Sequence, residues 1–179
     1  MELWDLYDRD RNILPEKMKR GDKIPDGCYH LVVHLSLFNS KGEMLIQRRQ
    51  TFKHGWSGLW DITVGGSVVA GENSRIAIER EVEEELGLHI SFADERPVIT
   101  SYFDDGIGDM YVINRDVDLS SLKLQKSEVM DAKWASKEEI LAMIDDGSFI
   151  PYCKGFIELA FHLRHTRHLR MRPDDTKPY

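Results

Sequence analysis

Glu81, Glu84 and Glu85 stand at positions i, i+3 and i+4 of the run Arg80-Glu81-Val82-Glu83-Glu84-Glu85-Leu86-Gly87-Leu88. On a helix that spacing puts three carboxylates on one face, where like charges repel. A hard dication removes the repulsion. Mg2+ takes one or two carboxylates and completes its shell with waters and substrate phosphates. Upstream lies Gly66-Ser67-Val68-Val69-Ala70-Gly71-Glu72, and the two stretches together read G-x5-E-x7-R-E-V-x-E-E-x-G-L. A glycine loop joined to a carboxylate-bearing helix can hold divalent cations against a diphosphate. Three glutamates alone would read as a solvated acidic face. The full pattern favours the chemical reading.

Residues 73–86 contain no Gly or Pro, and Ile76, Ile78, Val82 and Leu86 give the expected helix an apolar side. Asn73 or Ser74 can cap its start, and Gly87 ends it. Strands are expected over 31–38, 44–49, 61–64, 98–103, 110–117 and 132–135, with the strand at 61–64 feeding the glycine loop. Residues 39–43 read as a turn and 104–109 as a loop. The chain opens with a hairpin: 3–7, a polar turn at 8–12, then Ile13-Leu14, followed by a polar, basic stretch over 16–26. Ser136 and Glu139 form a capping box for a helix running to Asp145, and a last helix is expected over 155–169. This mixture of strands and helices predicts an α/β domain.

The chain has 179 residues, with 41% hydrophobic and 31% charged residues. One domain with a substantial core is expected, as a hairpin extension (1–28), a core (29–150) and a C-terminal helix and tail (151–179). No apolar run is long enough to span a bilayer, so no membrane partner is expected. The start has no signal-peptide pattern. Two cysteines, Cys28 and Cys153, are too few for a disulfide framework and suggest free thiols in a cytoplasmic protein. A net charge of −7 argues against nucleic-acid binding. A bound cation would reconcile that charge with an anionic substrate.

Residues 66–88 resemble a complete Nudix box, the signature of Nudix hydrolases. The resemblance implies an α/β/α sandwich with a mixed sheet. It also implies Mg2+-dependent hydrolysis, with Mn2+ as a substitute, of a nucleoside diphosphate linked to another group. Matched position by position, Glu81, Glu84 and Glu85 correspond to the metal-binding carboxylates. Arg80 corresponds to the arginine that orients them, with Glu72 as its partner. Gly65 would offer a backbone carbonyl to the metal. The region of Glu128 would supply one more glutamate, for the metal cluster or for activating water, and either Glu81 or Glu128 could take the proton.

The rest of the chain resembles the subgroup that contains isopentenyl-diphosphate isomerase, through the hairpin, residues 30–38 and Trp56-Ser57-Gly58-Leu59-Trp60. Three departures argue against isomerase activity. Gly65 stands where that resemblance expects a cysteine, Ser67 lies near an expected histidine, and Lys23 lies near another, leaving His30 as the one matching ligand. A third reading is a non-catalytic nucleotide sensor, which would not need the whole carboxylate set.

Outside the box, one of Arg48 and Arg49 is expected to point across the sheet and grip a substrate phosphate. Asp104, Asp105 and Asp109 are weaker metal candidates and read mainly as turn residues. Trp56 and Trp60 could stack on a base or cover an isoprenoid, though core packing is the commoner use. His30 and His34 share a strand face. His162, His165 and His168, with Arg164, Arg167 and Arg170 between them, fit a solvated or oligomer-facing helix. The hairpin and last helix could form a homodimer contact.

Overall fold

The computed structural model describes residues 2–53 and 55–166. Leu31, Val33, Leu35 and Leu37 alternate along β3 (His30–Phe38), so one face of that strand is apolar throughout. The same alternation divides β4 (Met44–Arg49): Leu45 joins one core, Met44 and Ile46 the other. β8 (Gly106–Asn114) does likewise, with Ile107, Tyr111 and Ile113 on one side and Met110 and Val112 on the other. A sheet apolar on both faces has to be covered on both.

α1 (Ser74–Leu86) covers the first face through Ala77, Ile78, Val82 and Leu86. α2 (Lys137–Asp145) and α3 (Lys154–Leu163) cover the second through Ile140, Ile157, Ala160, Phe161 and Leu163. The expected α/β/α sandwich is therefore present. The strands run in the order β5 (Trp60–Asp61), β4, β3, β8 and β7 (Ile99–Phe103), with β6 (Val64–Ser67) also paired to β3 and β9 (Val129–Ala135) to β4. β3 and β8 pair in parallel, and the other pairings are antiparallel, which makes the sheet mixed. Among the described residues no helix is long and apolar enough to cross a membrane.

Several boundaries differ from the sequence expectation. The strand expected at 61–64 is two: β5 (Trp60–Asp61) pairs with β4, and β6 (Val64–Ser67) pairs with β3. The chain bends at Ile62-Thr63, where Thr63 Oγ1 donates to Leu45 O and accepts from Leu37 N. Gly65 and Gly66 thus lie in a strand, and the loop begins after Ser67. The expected loop at 104–109 shrinks to Asp104-Asp105, between β7 (Ile99–Phe103) and β8. β9 spans Val129–Ala135. Ile76 is exposed, and Ala77 takes its place in the buried stripe. α3 stops at Leu163, so Arg164 and His165 lie beyond it, and Arg167, His168 and Arg170 lie outside the described residues.

The hairpin is longer than its sequence suggested. β1 (Leu3–Tyr7) pairs with β2 (Ile13–Lys19), and Met18 joins Leu6 and Ile24 in a small core of its own. Part of the polar stretch is therefore strand. The hairpin docks on the main sheet through paired backbone hydrogen bonds between Tyr7 and Tyr29. Near its turn, Arg11 reaches the carboxylate of Asp109.

Candidate active site

Local rules place α1 with little ambiguity. Asn73 caps it, its side chain accepting from Arg75 N at 3.0 Å and Ile76 N at 3.1 Å. Gly87 ends it in the left-handed conformation at φ 68°, its N–H donating to Glu83 O and that of Leu88 to Val82 O. With both ends fixed and Ala77, Ile78 and Val82 against the sheet, Glu81 and Glu85 fall at the border of the buried stripe.

Arg80 organises the upper part of the site. Its Nε donates to Glu72 Oε1 at 2.9 Å and one Nη to Glu72 Oε2 at 3.0 Å, a two-point grip. The same nitrogen reaches Ser67 O at 3.0 Å, and the other donates to Glu81 at 2.8 Å and Glu84 at 3.3 Å. Burial works against the Arg80 charge, but the carboxylates of Glu72 and Glu81 outweigh it and hold the guanidinium above its usual range. Glu72 also accepts from Val69 N, which ties the loop after β6 to the helix.

Glu81 lies against the backbone of β6. A Cβ at Gly66 would run into its carboxylate, so glycine at that position admits the side chain. Gly65 instead backs onto His34, where a Cβ would stand 3.2 Å from the ring. Burial raises the Glu81 carboxyl, against the pull of Arg80.

Glu85 sits deepest of the three, 5% exposed. It is hydrogen-bonded by a neutral group: Gln47 Nε2 donates to its Oε2 at 2.8 Å. Burial, and then the charge of Glu81, pushes the Glu85 carboxyl up to about 8. Such a carboxylate has lost its hydration without gaining a counter-charge, the state a bound dication corrects. Glu81, Glu84 and Glu85 offer carboxylate oxygens, which suit a hard cation. Among the described residues no three His, Cys, Asp or Glu side chains form a ready-made cage. Mg2+ does not need one, since waters and phosphates fill most of its shell.

This geometry sets a pH dependence. Glu85 titrates near 4.5 when unfolded and near 8 when folded, so the native state holds its proton more tightly. Its contribution to stability is complete below pH 4.5 and is lost as pH rises through about 8. With a chelator present, thermal melts of the unmodified protein are expected to fall by several degrees between pH 5 and 8.5. Glu85→Gln should flatten that fall and melt higher than the parent at pH 8.5.

Gln47 faces α1, so Arg49, two residues on, shares its row. Arg49 lies 3.7 Å from Asp61, and its buried Nε has no hydrogen-bond partner. Arg48 is on the other row, donating to Gly58 O at 2.9 Å. Glu128 stands just ahead of β9, paired with Lys53, and its charge reaches Glu85. Asp105 belongs to the turn, its carbonyl accepting from His30 N. Asp109 is no turn residue: it is fully buried in β8, bonded by Arg11 and by Thr100 Oγ1 at 2.7 Å. Trp60 packs in the second core beneath Lys133, whereas Trp56 is exposed. His30 stacks on Trp4, and burial holds His34 neutral, its pKa lowered to about 4.

Sequence reading overlooked Gln47 and Asp61. The available signal was an amide inside the strand Met44-Leu45-Ile46-Gln47, whose other members are fully buried. A cavity of about 760 Å3 opens beside the start of α1, between hairpin and sheet, and Glu72 lines it together with Tyr7, Arg11 and Arg75.

A family model described as the NUDIX domain matches residues 29–153. An uncharacterised Nudix hydrolase of Listeria monocytogenes is 44% identical over 165 residues, 92% of this chain and 96% of that relative. An isopentenyl-diphosphate Delta-isomerase of Escherichia coli is 30% identical over 127 residues, 67% of this chain and 69% of the isomerase. Among solved structures, a protein from Deinococcus radiodurans aligns with a TM-score of 0.72 at 25% identity, covering 90% of this chain and 98% of that one.

Proposed function

The chain belongs to the Nudix hydrolase family, and from that premise we propose that it is a Mg2+-dependent pyrophosphohydrolase of a nucleoside diphosphate derivative or related organic diphosphate. One observation carries the metal assignment: Glu85 is a buried carboxylate with a neutral partner, one helical turn from Glu81. Glu81, Glu84 and Glu85 would hold the dication, with the Gly65 carbonyl as a further donor. Mn2+ would serve in place of Mg2+. When bound, the ion lowers the pKa of water and offsets charge on the phosphoryl oxygens.

The protein's own residues position and move protons. Arg80, clamped by Glu72, keeps Glu81 and Glu84 oriented toward one another. Gly66 lets Glu81 lie flat against β6. Arg49 attracts a substrate oxygen from the α1-facing row of β4, and Arg48 supports the loop beside it through Gly58. Glu81 or Glu128 accepts the proton of the attacking water. Catalysis is then chiefly positioning and electrostatics. The cavity beside Glu72 offers room for the group beyond the diphosphate.

Similarity to an isomerase favours a second reading, allylic isomerisation. Gly65 argues against it, because β5 and β6 contain no thiol. Nucleoside diphosphate derivatives and isoprenoid diphosphates, assayed with Mg2+ and with Mn2+, separate the readings. Release of phosphate or a monophosphate is expected. An isomer formed without phosphate release would support the isomerase. A ligand-induced thermal shift without turnover would support a sensor.

A further inference from the structure

β4 is buried from Met44 through Gln47, and Gln47 is its polar interruption, 3% exposed. A buried amide without a partner is destabilising, so a side chain used only for packing would be better apolar here. Across the strands Gln47 stands opposite Asp61 and Ala132. Asp61 takes its hydrogen bonds from Ile62 N and from Tyr152 Oη. The Gln47 amide reaches instead to α1, 38 positions along the chain, and donates to one oxygen of Glu85.

We propose that Gln47 is a positioning residue of the metal site: its amide fixes Oε2 of Glu85 and leaves the other oxygen to face the dication. The inference rests on Glu85 being a metal carboxylate. Gln47 suits the task in charge and in length. A glutamate in its place would set a second negative charge against Glu85. An asparagine, one methylene shorter, would fall short of it. A hydrogen-bonded carboxylate loses less rotational freedom on binding an ion than an untethered one. Partners of this kind behind metal ligands typically change affinity by about 10–100-fold.

The test is a Mn2+ titration followed by electron paramagnetic resonance, on the parent protein, Gln47→Met, Gln47→Asn and Glu85→Gln. Both Gln47 variants are expected to weaken Mn2+ binding about tenfold. With a substrate that the parent hydrolyses, they should lower kcat more than they raise KM. In chelator their melting temperatures should stay within about 5 °C of the parent. If the longer Met side chain disturbs the strand, the Asn variant carries the comparison. Unchanged Mn2+ affinity in the Gln47 variants, with affinity lost in Glu85→Gln, would overturn the role of Gln47 alone. Unchanged affinity in Glu85→Gln would overturn the metal assignment and the inference with it.

Discussion

The double substitution Glu84→Gln with Glu85→Gln is expected to abolish metal-dependent turnover, a loss of about 10^3-fold or more, and to leave the protein folded. Stabilisation of phosphoryl charge by a metal is worth several kcal/mol, and each factor of ten in rate corresponds to about 1.4 kcal/mol. The fold should survive because neither carboxylate supports the core. Glu84 is an exposed partner of Arg80, and Glu85 is bound by an amide that a second amide can also meet. Removing both charges also relieves repulsion at i, i+3 and i+4. Kinetics at saturating Mg2+, paired with a melt in chelator, separate the two effects. Turnover retained in a folded double variant would contradict the assignment of these residues.

The second large effect lies at the hairpin. Arg11→Met is expected to destabilise the protein by about 3 kcal/mol and to lower the melting temperature by about 6–12 °C. The substitution leaves the Asp109 carboxylate, fully buried in β8, without its counter-ion. The value sits at the lower end for a broken buried pair, because Arg11 is 34% exposed and Thr100 still donates to Asp109. Arg11 has φ 64°, and methionine meets the same backbone penalty there, so the comparison isolates the charge. Adding Asp109→Asn to Arg11→Met should restore most of the loss. A single variant that melts with the parent would show that the ion pair does not hold the hairpin in place.

The helix of the site was legible because its signals are local. The acids repeat with the helical period, Asn73 and Gly87 mark the ends, and Arg80 has Glu72 eight residues away. Where a long-range partner decides, the sequence misleads. Asp109 sits among aspartates and glycines that read as a loop, but Arg11, 98 positions upstream, holds it inside a strand. Gly65 and Gly66 are poor strand formers by propensity, yet β3 pairs with both, and at Gly66 the Glu81 carboxylate occupies the space a side chain would need. Ile76, Ile78, Val82 and Leu86 predict the apolar side of α1, and all but Ile76 are buried, with Ala77 in its place. The chain from Asp61 to Val64 reads as one strand because nothing local shows that its two ends pair with different neighbours. Gln47 is visible only as an amide among apolar residues, and its partner becomes apparent once α1 is laid across β4.

Anomalous diffraction from crystals soaked in Mn2+ addresses the central assignment most directly. A manganese peak among the carboxylates of Glu81, Glu84 and Glu85 is expected, with the Arg80–Glu84 contact loosened and the Gln47–Glu85 hydrogen bond kept. A fully soaked crystal with no peak there, and with Arg80 still bonded to both Glu81 and Glu84, would contradict the account.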